Sequence, residues 1–171
     1  MKTLVLIRHA KAEPADSEPR DEERPLAEKG RGDADALGHY LAARGDSPQL
    51  ALCSSSLRTV ETLERVRGAL AESARIEIDD SLYLASAGEL LARLCAIGPT
   101  VSGALLVGHN PAIQQLACTL AIAGDRDARE RMARKFAPGA CAVIEFDVAD
   151  WRDVSTGGCL IAFQRPKDFA R

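Results

Sequence analysis

Apolar residues occur along this chain in short dense runs, separated by stretches with helical spacing. Leu4-Val5-Leu6-Ile7 is the first run and reads as a strand buried on both faces. Residues 12–25 follow with three prolines and a crowd of acids, the composition of an exposed loop. Ala34, Leu37, Tyr40 and Leu41 then recur at helical spacing over about 27–44, with Gly45 placed to stop the helix. Leu50–Cys53 predicts a second strand and Ser54–Ser56 a cap-like cluster. Val60, Leu63, Val66 and Leu70 mark a second amphipathic helix.

The alternation continues. Ile76–Ile78 predicts a strand, and Ser86-x-x-Glu89 is a capping box that opens a helix through Leu90, Leu91, Leu94 and Ile97. Ala104–Val107 is another buried strand, after which Gly108-His109-Asn110-Pro111 turns into a helix with Pro111 in its first turn. Strands at about 140–146 and 159–163 finish the core, and the residues from Arg165 read as a surface tail. There is no internal repeat or low-complexity tract. Strands alternating with helices predict an α/β sandwich with a largely parallel sheet, in one domain over residues 1–171.

Composition narrows the partners. A hydrophobic content of 46% with 27% charged residues is that of a soluble globular protein, and the formal charge of −3 argues against nucleic acid or an anionic membrane as a bulk partner. It leaves room for a locally basic pocket. No apolar run approaches the ~20 residues of a membrane span, and no apolar signal core follows Lys2. The cysteines (Cys53, Cys95, Cys118, Cys141, Cys159) are odd in number, form no C-x-x-C pair and sit in apolar periodic segments. They read as reduced core thiols of a cytoplasmic protein.

In such sheets ligands bind beyond the carboxyl ends of the strands. Three predicted strands deliver polar groups there: Arg8 and His9 from the first, Ser54 to Arg58 from the second, and His109 from the fourth. Two Arg and two His at one sheet edge form a cationic pocket, whose natural guest is a phosphoryl group. Three chemistries compete for it. Metal binding by His9, His39 and His109 lacks the close ligand pairs of zinc sites, and the arginines would repel the ion. Cys53-Ser-Ser-Ser-Leu-Arg58 looks like the phosphate loop of cysteine phosphatases but has four residues between Cys and Arg where five are needed. A histidine nucleophile explains the most: a neutral imidazole attacks phosphorus while the remaining cations balance charge on the oxygens. No cofactor and no metal are expected.

"LVLIRHAKAE", "CSSSLRTVET" and "LLVGHNPAI" resemble, in order and spacing, the three signature segments of the histidine phosphatase superfamily, also called the phosphoglycerate mutase-like fold. The resemblance implies a three-layer α/β/α sandwich. It implies His9 as the phosphorylated nucleophile, with Arg8, Arg58 and His109 as the other phosphate-pocket residues. The short chain, "RHAKAE" and "RPLAEKGRGDADALGHYL" are similar to the SixA-like phosphohistidine phosphatases. In that branch Arg24-Pro25-Leu26 followed by Gly30 is a familiar feature, read here as returning the acidic loop onto the helix.

The wider superfamily carries a general-acid Glu after the third strand. This sequence has Leu82-Tyr83-Leu84 there, with Leu84 in the acid's place, in a setting expected to be buried and apolar. A missing acid suits a P–N bond, whose imidazole leaving group needs less protonation than an alkoxide. Glu13, Asp16, Glu18, Asp21, Glu22 or Glu23 in the loop stand as alternative proton donors, or as a plain solvated run. The expected partners are a phosphohistidine protein or a small phosphorylated metabolite, with a phosphate ion in the pocket. Two other readings stay open: a metabolite phosphomonoesterase on the same site and a low-turnover phosphate-binding module. Residues 124–135 form a charged helical stretch, either a solvated face or a docking surface.

Overall fold

The computed structural model describes residues 1–15 and 20–169; two of the acids raised above, Asp16 and Glu18, lie outside the described residues. Seven strands form one sheet: β1 (Lys2–Arg8), β2 (Leu50–Ser54), β3 (Arg75–Asp79), β4 (Gly103–Gly108), β5 (Ala121–Gly124), β6 (Cys141–Phe146) and β7 (Gly158–Gln164), in the order β3-β2-β4-β1-β6-β7-β5. β1, β2, β3 and β4 pair in parallel, and β5 is parallel to β7. β6 runs antiparallel to both β1 and β7.

Strand pleating explains why the central runs are apolar throughout. Successive side chains point to opposite faces. Leu4 and Leu6 of β1, Leu50 and Leu52 of β2, and Ala104 and Leu106 of β4 join the core on one face. Val5 and Ile7, Ala51 and Cys53, and Leu105 and Val107 join the core on the other. A strand covered on both faces has no polar side to show.

The covering layers are helical. On one face lie α1 (Glu28–Arg44) and α2 (Leu57–Val66), which contribute Leu37, Leu41, Leu63 and Val66. On the other lie α3 (Ala87–Cys95), α4 (Ala112–Leu120) and α5 (Arg126–Arg134), which contribute Leu90, Leu94, Ile113, Leu116 and Met132. Each fully buried Leu or Ile stabilises the sandwich by about 1.5–3 kcal/mol relative to exposure.

The caps form largely where the residues predict them. Gly45 closes α1 at φ +74°, its amide bonded to Ala42 and Leu41 carbonyls, and Ser86 with Glu89 makes a reciprocal capping box at α3. The charged stretch 124–135 contains α5, with Ala128 and Met132 turned to the core. Two features depart from expectation. β5 is an additional short strand on β7. The tail from Arg165 contains a final turn, α6 (Pro166–Phe169), whose Phe169 ring lies 5.3 Å from the ring of Tyr40.

The parallel strands β2, β4 and β1 are adjacent, so their carboxyl ends share one edge of the sheet. At about 4.8 Å per strand, groups leaving those three ends start within roughly 10 Å of one another.

Candidate active site

β1 delivers His9 to that edge and neighbouring backbone fixes it. The His9 amide donates to the Gly108 carbonyl (3.0 Å) at the end of β4. The Gly139 amide donates to both the Arg8 and His9 carbonyls (3.1 and 3.0 Å). Gly139 has φ +76°, a conformation that side chains with a Cβ rarely adopt. The Ala10 amide donates to Thr62 Oγ1 (3.0 Å), which in turn donates to the Arg58 carbonyl (2.7 Å). One α2 hydroxyl thus ties the backbone after His9 to the backbone of Arg58.

The His9 ring has a defined tautomer. Nδ1 lies 2.8 Å from the Ala10 carbonyl, an acceptor, so Nδ1 carries the proton and Nε2 keeps its lone pair. Burial pushes the His9 pKa down to about 3, reinforced by the positive field of Arg58 and Arg8 and by His109, and opposed by the Ala10 bond. The ring is therefore neutral at ordinary pH.

His109 stands beside it, ring centroids 5.3 Å apart. Arg58 Nη2 approaches its Nδ1 at 3.5 Å, and its Nε2 is 2.7 Å from Ser54 Oγ. An arginine only donates, so a neutral His109 accepts at Nδ1 and donates from Nε2 to Ser54. Burial again leads in lowering its pKa, to about 4, with Arg58 and Arg8 adding to the shift and Asp21 opposing it.

The two guanidiniums frame the rings. Arg8 Nη1 donates to the Phe136 carbonyl (2.9 Å). Arg58 is only 5% exposed and reaches past His109 to the loop, donating to the Asp21 carbonyl (2.7 Å) and to Asp21 Oδ2 (3.0 Å). Among the described residues, Nε of both arginines is buried without a hydrogen-bond partner. An unmade bond at a buried charged donor is costly. Two such donors beside two imidazoles suit an oxyanion with several oxygens, bound by planar forks.

The structure thus brings together Arg8, His9, Arg58 and His109, and leaves His39 exposed on α1. It corrects two sequence-based expectations: the buried setting of Leu84, and the reading of every cysteine as a core thiol, since Cys118 is exposed. Leu84 is 85% exposed, so the acid's position is neither buried nor apolar in its surroundings. Its neighbour Tyr83 faces the site, with its ring edge-on to His109 at 5.4 Å and the Arg58 guanidinium 5.8 Å from its centroid. Cys53 belongs to the core under α1 and α2, and burial pushes its thiol up to about 12, so no thiolate is available there.

One loop acid enters the site. Residues 21–23 form a 3-10 turn, and Asp21 accepts from Tyr83, from Arg58, and from Nε and Nη2 of Arg24 (3.0 and 2.8 Å). These bonds, that from Tyr83 foremost, hold its carboxyl well below the usual carboxylate range. It is a fixed negative charge rather than a proton donor. The Arg24-Pro25-Leu26 segment positions it. Ala12 and Leu26 form an antiparallel bridge, the Glu13 amide donates to the Pro25 carbonyl (2.9 Å), and Arg24 Nη1 donates to the Glu13 carbonyl (2.7 Å). Gly30 completes the return: a Cβ there would sit 2.0 Å from the Lys11 carbonyl.

Known proteins resemble this chain in sequence and in fold. A family model described as the histidine phosphatase superfamily (branch 1) matches residues 4–90. An uncharacterized protein of Mycobacterium tuberculosis is 32% identical over 164 residues, spanning 94% of this chain and 100% of its own length. The solved structure of the putative phosphohistidine phosphatase SixA from Nakamurella multipartitia superposes with a TM-score of 0.83 at 31% identity, covering 96% of each chain. The protein histidine phosphatase SixA complexed with tungstate superposes at 0.74 and 22% identity, covering 96% of this chain and 97% of that one; at this identity the likeness concerns the fold.

Proposed function

Because the chain belongs to the histidine phosphatase superfamily, in its SixA-like branch, we propose that it hydrolyses phosphohistidine in proteins through a covalent phospho-His9 intermediate, with no metal ion. His9 Nε2 attacks phosphorus in line with the departing nitrogen. Arg8, Arg58 and His109 hold the three equatorial oxygens, where charge concentrates in transfer. The substrate imidazole, protonated on its other nitrogen, leaves as a neutral ring. Water then attacks phospho-His9 and expels His9.

The observation that carries this reading is the 2.8 Å hydrogen bond from His9 Nδ1 to the Ala10 carbonyl. In the first step it keeps Nε2 a free nucleophile. In the second it keeps the proton on Nδ1, so His9 too leaves neutral. Both departures then proceed without a carboxylic acid, which agrees with Asp21 being held ionised. An alkoxide from a phosphoserine or sugar phosphate has no such route, and a missing general acid commonly costs 10²–10⁴ in rate. That a SixA of the same fold is complexed with tungstate, a phosphate analogue, supports an oxyanion as ligand. Five cysteines without a disulfide among them suit the cytoplasm. No helix among the described residues is long and apolar enough to cross a membrane.

The test is a substrate series of graded leaving-group pKa, assayed alongside rapid-quench capture of acid-labile phosphate. Phosphohistidine peptides and p-nitrophenyl phosphate are expected to turn over far faster than phosphoserine or sugar phosphates, with stoichiometric label on His9 and none in His9→Ala. Equal rates on alkyl esters would transfer the case to a metabolite phosphatase. Absence of any label or turnover would leave a binding module.

A further inference from the structure

Beside the imidazole cluster runs a groove of about 410 Å³ that none of the four clustered residues lines. Its rim carries Lys11, Lys29, Lys135, Arg165 and Lys167 against one acid, Asp33. Lys29 pairs with Asp33 (3.1 Å), and Arg165 with Asp168 (2.9 Å). Among the described residues Lys11, Lys135 and Lys167 have no carboxylate within 4.0 Å, and all three are exposed. This concentration of positive charge sits on a chain whose net charge is −3.

The groove is continuous with the machinery of the site. Lys11 follows His9 by two residues, so their Cα atoms are at most about 7.6 Å apart. Lys135 precedes Phe136, whose carbonyl holds Arg8 Nη1 at 2.9 Å. Pro166 and Lys167, at the start of α6, line it too. Ala137, Pro138 and Pro166 add a lining without charge that accepts the methylenes of a bound side chain.

We propose that this groove binds an acidic segment of the phosphohistidine protein, within about four residues of the phosphorylated side chain along an extended stretch at about 3.3 Å per residue. The inference rests on the phosphohistidine reading for its choice of substrate. The chemistry of the rim favours a protein over a small metabolite. A second phosphate of defined geometry is recognised by planar guanidinium forks, which is how Arg8 and Arg58 stand in the site. Exposed lysines are mobile point charges. They recognise a spread of carboxylates whose positions vary, and they attract an acidic surface before contact.

The experiment uses the full chain and two kinds of probe. The first is a set of phosphohistidine peptides flanked by Glu, Gln or Lys. The second is the unphosphorylated Glu-flanked peptide, followed by fluorescence anisotropy at low and high salt. The Glu-flanked substrate is expected to exceed the Gln-flanked one about tenfold in kcat/KM, through KM, a factor that converts to about 1.4 kcal/mol. In Lys135→Glu/Lys167→Glu the preference disappears while turnover of p-nitrophenyl phosphate, which does not reach the groove, stays unchanged. Salt weakens native binding toward that of the variant. Equal turnover of Glu- and Gln-flanked peptides by the native chain, or a preference that survives in the variant, overturns the proposal. So does a variant that loses activity only toward a small bisphosphate. If no phosphohistidine peptide turns over, the phosphohistidine reading fails by itself. The anisotropy of the unphosphorylated peptide, native against variant, then still decides whether the groove binds acidic chains.

Discussion

Keeping two imidazoles neutral side by side has a consequence that can be measured without any substrate. Burial lowers the pKa of His9 to about 3 and of His109 to about 4. In the unfolded chain both return to about 6.5. Between these limits the unfolded chain binds protons that the native protein refuses, so stability falls as pH falls. The contribution is complete above about pH 6.5 and is lost progressively toward pH 4 and 3. Lowering the pH from 7 to 5 crosses about 1.5 units below the unfolded value, and at about 1.36 kcal/mol per unit this amounts to about 2 kcal/mol for each ring. Carboxylates with depressed values, such as Asp21 and Asp168, have ordinary unfolded values near 4 and contribute mainly below this window. Urea unfolding at pH 7, 6 and 5 should show the native protein losing about 4 kcal/mol, single His9→Asn and His109→Asn variants about half of that, and the double variant almost none. His39 is exposed and present in every variant, so its effect cancels. A native protein with the same pH slope as the double variant would show that the rings are not held neutral, and the nucleophile argument would lose its footing. The two histidine ring resonances, followed by NMR, should likewise stay unshifted down to pH 5.

Three further outcomes are expected. In Asp21→Asn the negative charge 3.0 Å from Arg58 is removed, so tungstate should bind about threefold more tightly, the scale of a partly exposed ion pair; weaker binding by isothermal titration would mean that the carboxylate positions Arg58 rather than competing for it. Cys53→Ala should keep most of its activity, and iodoacetamide, which can reach the exposed Cys118, should leave the turnover of the native protein intact, because the Cys53 thiol is buried with a value near 12; rapid loss of turnover would revive the cysteine mechanism. Exhaustive chelation should leave kcat/KM on p-nitrophenyl phosphate unchanged, and an inactivation reversed by a divalent metal would contradict the proposed mechanism.

What the sequence discloses follows from where the physical constraint is local. β1, β2 and β4 are legible because both faces are covered and every residue must be apolar. Their polar exits at Arg8, Ser54 and His109 are legible for the same reason, since a polar group at the end of a buried run needs a use. β5 has no such signature: three of its four residues are exposed, and among the described residues it pairs only with β7. α6 is held by Phe169 against Tyr40, a contact between residues 129 apart that no local pattern announces. Asp21 is one of several acids in a loop, and only the return through Leu26 and Gly30 singles it out. Tyr83 has no local signature either. The two are adjacent, and one turn of backbone decides which faces His109 and which faces water.

The charge arrangement links these pieces. A nucleophilic imidazole must be neutral, and the positive field of Arg8 and Arg58 helps keep it so. The same field attracts the phosphoryl group, so a single pair of guanidiniums serves both ends. When a phosphoryl group enters, its negative charge reverses the field at the rings. His109, which burial and Arg58 hold neutral and whose Nδ1 faces Arg58, then gains an anion beside it and its pKa rises. In the proposed mechanism His9 gains the same anion but becomes bonded to it through Nε2, and its proton stays on Nδ1, donated to the Ala10 carbonyl. Two rings of like chemistry 5.3 Å apart are thereby separated in role by their hydrogen bonds. In the proposed mechanism one is the neutral nucleophile and leaving group, and the other becomes the cation that holds the transferred oxygens.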